Sequence, residues 1–201
     1  MDDSARLRSV ALRCARAGPF DFTLRRGECL AVTGPSGAGK SLMLRMLADL
    51  DPHEGDALLD GIACSAMRAS AWRRRVTYCA AESGWWLEEV GAHFAVVPTA
   101  AALRLNLRTD IFAQPVIACS TGERQRLALL RALQHDPAVL LLDEPTGALD
   151  REATEAVEAL LAERRADGMA IVIVTHDDAQ ASRLATRRGM VTAGRFTLEA
   201  P

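Results

Sequence analysis

The chain has 201 residues, 49% hydrophobic and 25% charged, with a formal net charge of -2. That is enough for one globular domain with a substantial core, and it supplies no broad basic surface for nucleic acid. Five cysteines, Cys14, Cys29, Cys64, Cys79 and Cys119, are scattered without metal-ligand spacing, so reduced thiols serving as small apolar filling are expected.

Met1-Asp2-Asp3-Ser4 is acidic and no apolar core follows it, so no secretory signal is expected. The longest apolar runs, near residues 139–142 and 170–174, fall far short of the roughly 20 residues of a membrane-spanning helix. Any membrane association would therefore go through a partner. Residues 5–33 carry turn signals at Gly18-Pro19 and Arg25-Arg26-Gly27-Glu28, and Phe20, Phe22 and Leu24 alternate as a half-buried strand does. A small β layer is expected here, leading into an apolar strand at residues 28–33.

That strand runs into Gly34-Pro35-Ser36-Gly37-Ala38-Gly39-Lys40-Ser41, whose spacing is G-x-x-x-x-G-K-S. Glycines permit backbone angles at which successive N–H groups converge on one anion, and the following helix aims its positive end at the same place. Lys40 would reach the outer phosphates of a nucleotide and the Ser41 hydroxyl a magnesium ion. Met43, Met46, Leu47 and Leu50 then recur at helical spacing.

Asp51-Pro52-His53-Glu54-Gly55 breaks the helix, and Asp60-Gly61 predicts a tight hairpin. Arg73-Arg74-Arg75 reads as a solvated face or a partner contact, and Val76-Thr77-Tyr78-Cys79 as a strand. The signal weakens from Glu82 to Ile117. Trp85 and Trp86 within it cannot easily share one face of a strand; either both pack in the core or one is exposed for docking.

Periodicity returns with a helix over residues 123–135, marked by Leu127, Leu130 and Leu133. Val139-Leu140-Leu141-Leu142 is a continuous apolar strand ending in Asp143-Glu144. Residues 151–166 form a second amphipathic helix, with Ala153, Val157, Leu160 and Leu161 in register. Ile171-Val172-Ile173-Val174 is a further buried strand ending at Thr175-His176. Such strands alternating with helices indicate a parallel sheet covered on both faces, whose ligands collect at the carboxyl ends of strands. Taken singly, Asp143-Glu144 could be mere capping and His176 a satisfied core residue.

Ser120-Thr121-Gly122-Glu123-Arg124-Gln125-Arg126 would present a hydroxyl, free N–H groups and a helix N-terminus to an anion. One nucleotide has a single γ-phosphate, already held at residues 34–41. A second copy of the chain, facing the first head to tail, could use this surface instead.

With these motifs in this order, the chain resembles the ATP-binding cassette (ABC) ATPases over nearly its whole length. Residues 34–41 resemble the Walker A loop, Leu140 to Glu144 the Walker B strand, residues 120–126 the signature, Ala148-Leu149-Asp150 the D-loop and His176 the switch histidine. The resemblance implies an α/β P-loop NTPase fold, a mainly parallel sheet covered by helices with a small antiparallel β layer and a short helical subdomain. The single domain, 1–201, would comprise a β layer and catalytic core (about 1–81 and 131–201) and a helical subdomain (about 82–130). It implies ATP and magnesium as cofactors. Gly34, Pro35, Ser36, Gly37, Ala38, Gly39, Lys40, Ser41 and Leu42 would surround the phosphates, and Ser41 and Asp143 would hold the metal. Glu144 would orient or deprotonate the attacking water, assisted by His176 and Lys40. Ser120, Gly122 and Glu123 would close on ATP of the opposite subunit, and Asp150 would link the two sites. The expected partners are a second cassette, identical or pseudo-symmetric, and a transmembrane permease that holds the chain on the inner face of the cell membrane.

Three positions depart from the family pattern. Ala81, with Glu82 beside it, stands where the family has a magnesium-touching glutamine. Cys119-Ser120-Thr121 replaces Leu-Ser-Gly. The aromatic that stacks on adenine is missing, with Leu12 or Cys14 near its place, so weak base selectivity is expected. The rival readings are a soluble ABC ATPase acting as a switch and a nucleotide-binding regulator with weak turnover.

Overall fold

The longest uninterrupted apolar runs become the centre of the structure, a computed structural model that describes residues 5–199. The acidic residues 1–4 lie outside that range. Strands β3 (Cys29–Thr33), β7 (Val139–Asp143) and β8 (Ala170–Val174) are buried almost throughout. They sit side by side in a six-stranded sheet with β6 (Val76–Cys79), β9 (Arg187–Thr192) and β10 (Arg195–Leu198), in the order β10-β9-β3-β8-β7-β6. All neighbours are parallel except β10, which closes a hairpin on β9. A parallel sheet needs cover on both faces, and period-two alternation supplies two apolar surfaces.

Ala31, Leu140, Leu142, Ile171 and Ile173 point into one core. There they meet Leu127 and Leu130 of α4 (Thr121–Leu133), Leu160 and Leu161 of α5 (Arg151–Ala166) and Leu184 of α6 (Asp178–Leu184). Leu30, Val32, Leu141, Val172 and Val174 point the other way. Their partners are Met43 and Leu47 of α1 (Lys40–Leu47) and the inner face of an antiparallel sheet. That sheet runs β2-β1-β4-β5, built from β1 (Ala5–Cys14), β2 (Ala17–Arg25), β4 (Glu54–Leu59) and β5 (Ile62–Ala63). Phe20, Phe22 and Leu24 alternate inward on β2 as their spacing predicts. Each such side chain removed from water contributes roughly 1.5–3 kcal/mol.

Two local expectations change. The first hairpin turns at Ala15-Arg16 rather than Gly18-Pro19, which instead opens β2; the Gly18 N–H is taken by the Gly194 carbonyl at 2.7 Å. Leu50 lies beyond the end of α1 and is 40% exposed, so it does not continue the buried stripe. The segment from Glu82 to Ile117 holds only one short α-helix, α3 (Thr99–Arg104), with several 3-10 turns. Within it Trp85 packs against the core while Trp86 is 69% exposed, so the two tryptophans divide. The arginine run ends α2 (Ala69–Arg75), where Arg73 donates to the Asp49 carbonyl and Arg75 pairs with Asp60.

All five cysteines are free. Burial pushes the Cys29 and Cys64 thiols up to about 12 and Cys79 to about 11, so these groups stay protonated. Trp72 ties α2 to α1: it is fully buried and its indole N–H donates to the Leu47 carbonyl at 2.9 Å. Trp72→Ala would open a cavity and orphan that carbonyl, lowering unfolding free energy in urea by about 3–5 kcal/mol. A loss below about 1 kcal/mol, the level of an average point mutation, would mean that this ring does not organise the interface.

Candidate active site

Between β3 and α1 the chain must turn sharply beneath β9. Gly34 has φ +136°, and a Cβ there would stand 2.0 Å from the Val191 carbonyl oxygen, so no other residue fits. Lys40, at the start of α1, is buried, and its ammonium donates to the Gly34 and Pro35 carbonyls at 2.7 and 2.9 Å. The loop is therefore wrapped around its own lysine. No side-chain oxygen caps α1 at Gly39, which leaves the first-turn N–H groups without a side-chain acceptor.

Opposite the loop, β7 ends in Asp143, whose Oδ2 accepts the Tyr78 hydroxyl at 3.0 Å. Burial and the neighbouring Asp143 carboxylate push the Tyr78 phenol well above its usual range, so it remains a donor. Glu144 follows at φ +48°, a left-handed backbone that costs a non-glycine residue roughly 1–2 kcal/mol. Three hydrogen bonds fix it there: its N–H donates to Val174 O at 2.9 Å, and its carbonyl accepts Gln125 Nε2 at 2.6 Å and Gly147 N–H at 3.2 Å. The strained turn aims the side chain toward His176. Glu144 Oε2 accepts the His176 backbone N–H at 3.3 Å. Oε1 lies 3.1 Å from His176 Nε2 but out of hydrogen-bonding alignment, and remains a buried acceptor without a donor.

Lys40, Ser41, Asp143, Glu144 and His176 line a single cavity of about 370 Å³, together with Ser36, Gly37, Gly39 and Leu42. A larger cleft of about 600 Å³, edged by Asp49, Asp51, His53 and Asp56, contains none of the motif residues. Chemistry rather than size selects the smaller one. Gly34, Pro35 and Ala38 do not line it: the first two hold Lys40 and Ala38 packs in the core.

Ser120, Gly122, Glu123 and Asp150 lie outside the cavity. Each has a local role. The Ser120 hydroxyl accepts the Glu123 N–H while the Glu123 carboxylate accepts the Ser120 N–H, a capping box that starts α4. That bond holds the Glu123 carboxyl below the usual range, hence ionised. Asp150 caps α5 by accepting the Ala153 N–H at 2.8 Å.

Ala81 lines the cavity, at the place where the family pattern has a glutamine, and exposed Glu82 does not. Neither Leu12, fully buried, nor Cys14, packed on the core, reaches the cavity; Arg16, at the tip of the shortened first hairpin, lines it instead. Arg16, Tyr78 and Gln125 are the residues that sequence reasoning passed over at this site. Tyr78 stood in a recognised strand and Gln125 in a recognised motif, but only the fold reveals their partners.

The profile of the ABC transporter family matches residues 18–147. The chain belongs to the ABC transporter family. It is one of that family's ATP-binding ATPase cassettes. A cobalt import ATP-binding protein of Rhodobacter capsulatus is 36% identical over 201 aligned positions, 90% of this cassette and 71% of that protein. A hemin import ATP-binding protein of Streptomyces coelicolor is 39% identical over 198, again 90% and 71%. Among solved structures, CbiO1 of Clostridium perfringens, part of a CbiONQ transporter complex, superposes with a TM-score of 0.77 at 23% identity, covering 97% of this cassette and 88% of that chain. A dimeric ATP-binding cassette in a post-hydrolysis state with ADP and phosphate also gives 0.77 at 23%, covering 96% and 97%. At that identity the likeness is one of fold.

Burial is the main cause that raises the Glu144 carboxyl above the usual carboxylate range, and the charge and backbone N–H of His176 partly offset it. A carboxyl raised in the folded state favours folding below its unfolded pKa, and that contribution is lost as pH rises through the folded value. Glu144→Gln should accordingly unfold at a higher temperature than wild type at neutral pH, with the difference closing in acid. Thermal scans across pH check this; a gap that widens in acid would contradict the burial argument.

Proposed function

We propose that this cassette is the energising subunit of an ABC transporter, in which ATP held between two cassettes drives their closure and its hydrolysis lets them part. The carrying observation is the convergence of Lys40, Ser41, Asp143, Glu144 and His176 on one cavity while Ser120 and Gly122 stay outside it. A single chain then offers one phosphate cavity and, at the start of α4, a second helix end outside it, the arrangement a head-to-tail pair needs.

In this reading the residues 34–41 hold the phosphates through backbone N–H groups and Lys40. The oxygen pair of Ser41 and Asp143 suits magnesium, which takes one or two carboxylates beside substrate phosphates. When bound, that ion would neutralise charge developing on the phosphates. Tyr78 restrains the Asp143 carboxylate by its hydrogen bond. The undonated Oε1 of Glu144 supplies an acceptor for the attacking water, and burial raises its basicity. His176, beside it, would contact the γ-phosphate. Ser120, Gly122 and Glu123 would meet the nucleotide of the opposite cassette and Asp150 would join the two sites.

Residues 82–130 would form the subdomain that meets the permease, placing the chain on the cytoplasmic membrane face through that partner; among the described residues no helix is long and apolar enough to cross a membrane. Trp86, Leu87 and Ile117 are exposed there, beside a short ladder in which Val116 N–H donates to the Glu88 carbonyl and Val90 N–H to that of Gln114. His93 holds the tryptophan turn: its Nε2 accepts the Trp86 and Leu87 N–H groups at 3.2 and 3.1 Å, which leaves Nδ1–H for the Glu89 carbonyl. The Arg131 guanidinium lies 4.4 and 4.8 Å from the centres of the Trp85 and Trp86 rings and stiffens the same patch.

The Ala81 methyl at the cavity wall favours one alternative, a cassette with weak turnover, since it can coordinate neither ion nor water. Phosphate release measured on membranes with a permease separates the two.

Two outcomes test the main reading. Glu144→Gln should bind ATP and accumulate as a dimer by light scattering while hydrolysis falls about a hundredfold or more; a variant that stays monomeric at saturating ATP would sink the proposal. Replacing Trp86 and Ile117 by alanine should reduce co-flotation with permease-containing vesicles and leave ATP affinity in solution unchanged. Full recruitment of that variant would remove this surface from the permease contact.

A further inference from the structure

The structure assigns Gln125 as a positioning residue that makes the turn carrying Glu144 follow the signature helix. This rests on the reading above, in which Glu144 orients the water. The Gln125 carboxamide uses both of its ends on that turn: Nε2–H donates to the Glu144 carbonyl at 2.6 Å and Oε1 accepts the Ala148 N–H at 3.2 Å.

A second residue on the same face of α4 presses the same turn. Gly122 lies three residues earlier, one helical turn away. A Cβ on Gly122 would stand 3.0 Å from the Ala148 carbonyl oxygen and 3.2 Å from Leu149 Cδ2. The start of α4 and the 144–149 turn are therefore joined by a close approach and two hydrogen bonds.

Glu144 needs such support because its φ of +48° is disfavoured for a residue with a side chain. Without Gln125 its carbonyl keeps only the Gly147 N–H at 3.2 Å. The turn can then relax and carry Oε1 away from its place beside His176. A carboxamide is the neutral side chain with a donor and an acceptor side by side. Glutamate keeps the acceptor for Ala148 but sets a carboxylate oxygen against the Glu144 carbonyl.

The link has a direction. The start of α4 bears Ser120 and Gly122, which would meet nucleotide on the opposite cassette, whereas Glu144 lines the cavity of its own chain. Gln125 thus connects the surface that senses closure at one site to the group that acts at the other.

The test compares wild type, Gln125→Glu and Gln125→Ala for kcat, KM and the Kd of ATP measured by direct titration. Loss of the bond from Gln125 to the Glu144 carbonyl should lower kcat about tenfold or more in both variants, with KM and Kd within about twofold, because residues 34–41 are untouched. Gln125→Glu is nearly isosteric and guards against loss of fold in the alanine variant. Unchanged kcat in both, or kcat and affinity falling in parallel in both, overturns the assignment. A wild-type chain that binds ATP and never hydrolyses it removes the functional reading, and this inference with it; hydrolysis kept at the wild-type rate by both variants removes this inference alone.

Discussion

A parallel sheet delivers the carboxyl ends of its strands to one edge, and the chemistry of this cassette depends on that constraint. Register makes it sharp. Asp143 pairs with Val174 and Cys79 with Leu142, while Val32 pairs with Val174 from the other side. Residues leaving β6, β7, β8 and β3 therefore emerge abreast, as Ala81, Glu144, His176 and the glycine-rich loop. No side chain has to reach far, and groups separated by more than a hundred positions in the chain share one cavity. The apolar strands behind them supply the rigidity, since every inward residue from Leu140 to Leu142 is fully enclosed.

What the sheet cannot supply is the last half-turn of direction. Glu144 leaves β7 in a conformation that ordinary residues avoid, and the energy to keep it there comes from neighbours rather than from its own strand. Here the helical layer acts on the sheet edge. The contact of Gly122 with Ala148 and the bridge from Gln125 tie α4 to the turn after β7. Asp150 then fixes the next helix within a few residues. Sheet edge, signature helix and α5 start are one mechanical unit.

Much of this was legible in the sequence because it depends on local pattern. The runs at Val139 to Leu142 and Ile171 to Val174 admit few alternatives to buried strands, and the glycine spacing from Gly34 to Lys40 has a backbone reason visible without coordinates. The site residues that escaped notice act through long-range partners. Tyr78 matters by meeting a carboxylate from β7, and Gln125 by meeting a turn nineteen positions later. Arg16 was hidden because the first hairpin is shorter than Gly18-Pro19 suggested: the glycine donates its N–H to the β9–β10 turn, and the chain reverses at Arg16. The split of Trp85 and Trp86 was likewise not legible: Trp85 packs on the core and Trp86 does not, although Arg131 and His93, which no spacing rule connects to them, touch both rings.

The capping box at the start of α4 sets one carboxylate among cations where two cassettes would join: Arg108 and Arg126 act on Glu123, and Arg124 donates to the Thr121 hydroxyl. Glu123 stands there as an ionised carboxylate, held by the Ser120 N–H. A triphosphate brought to that helix end would meet those guanidinium groups as well as the carboxylate. Dissolved ions screen attraction and repulsion alike over about 8–10 Å at moderate ionic strength, so with both signs present the approach of the two faces would depend little on added electrolyte.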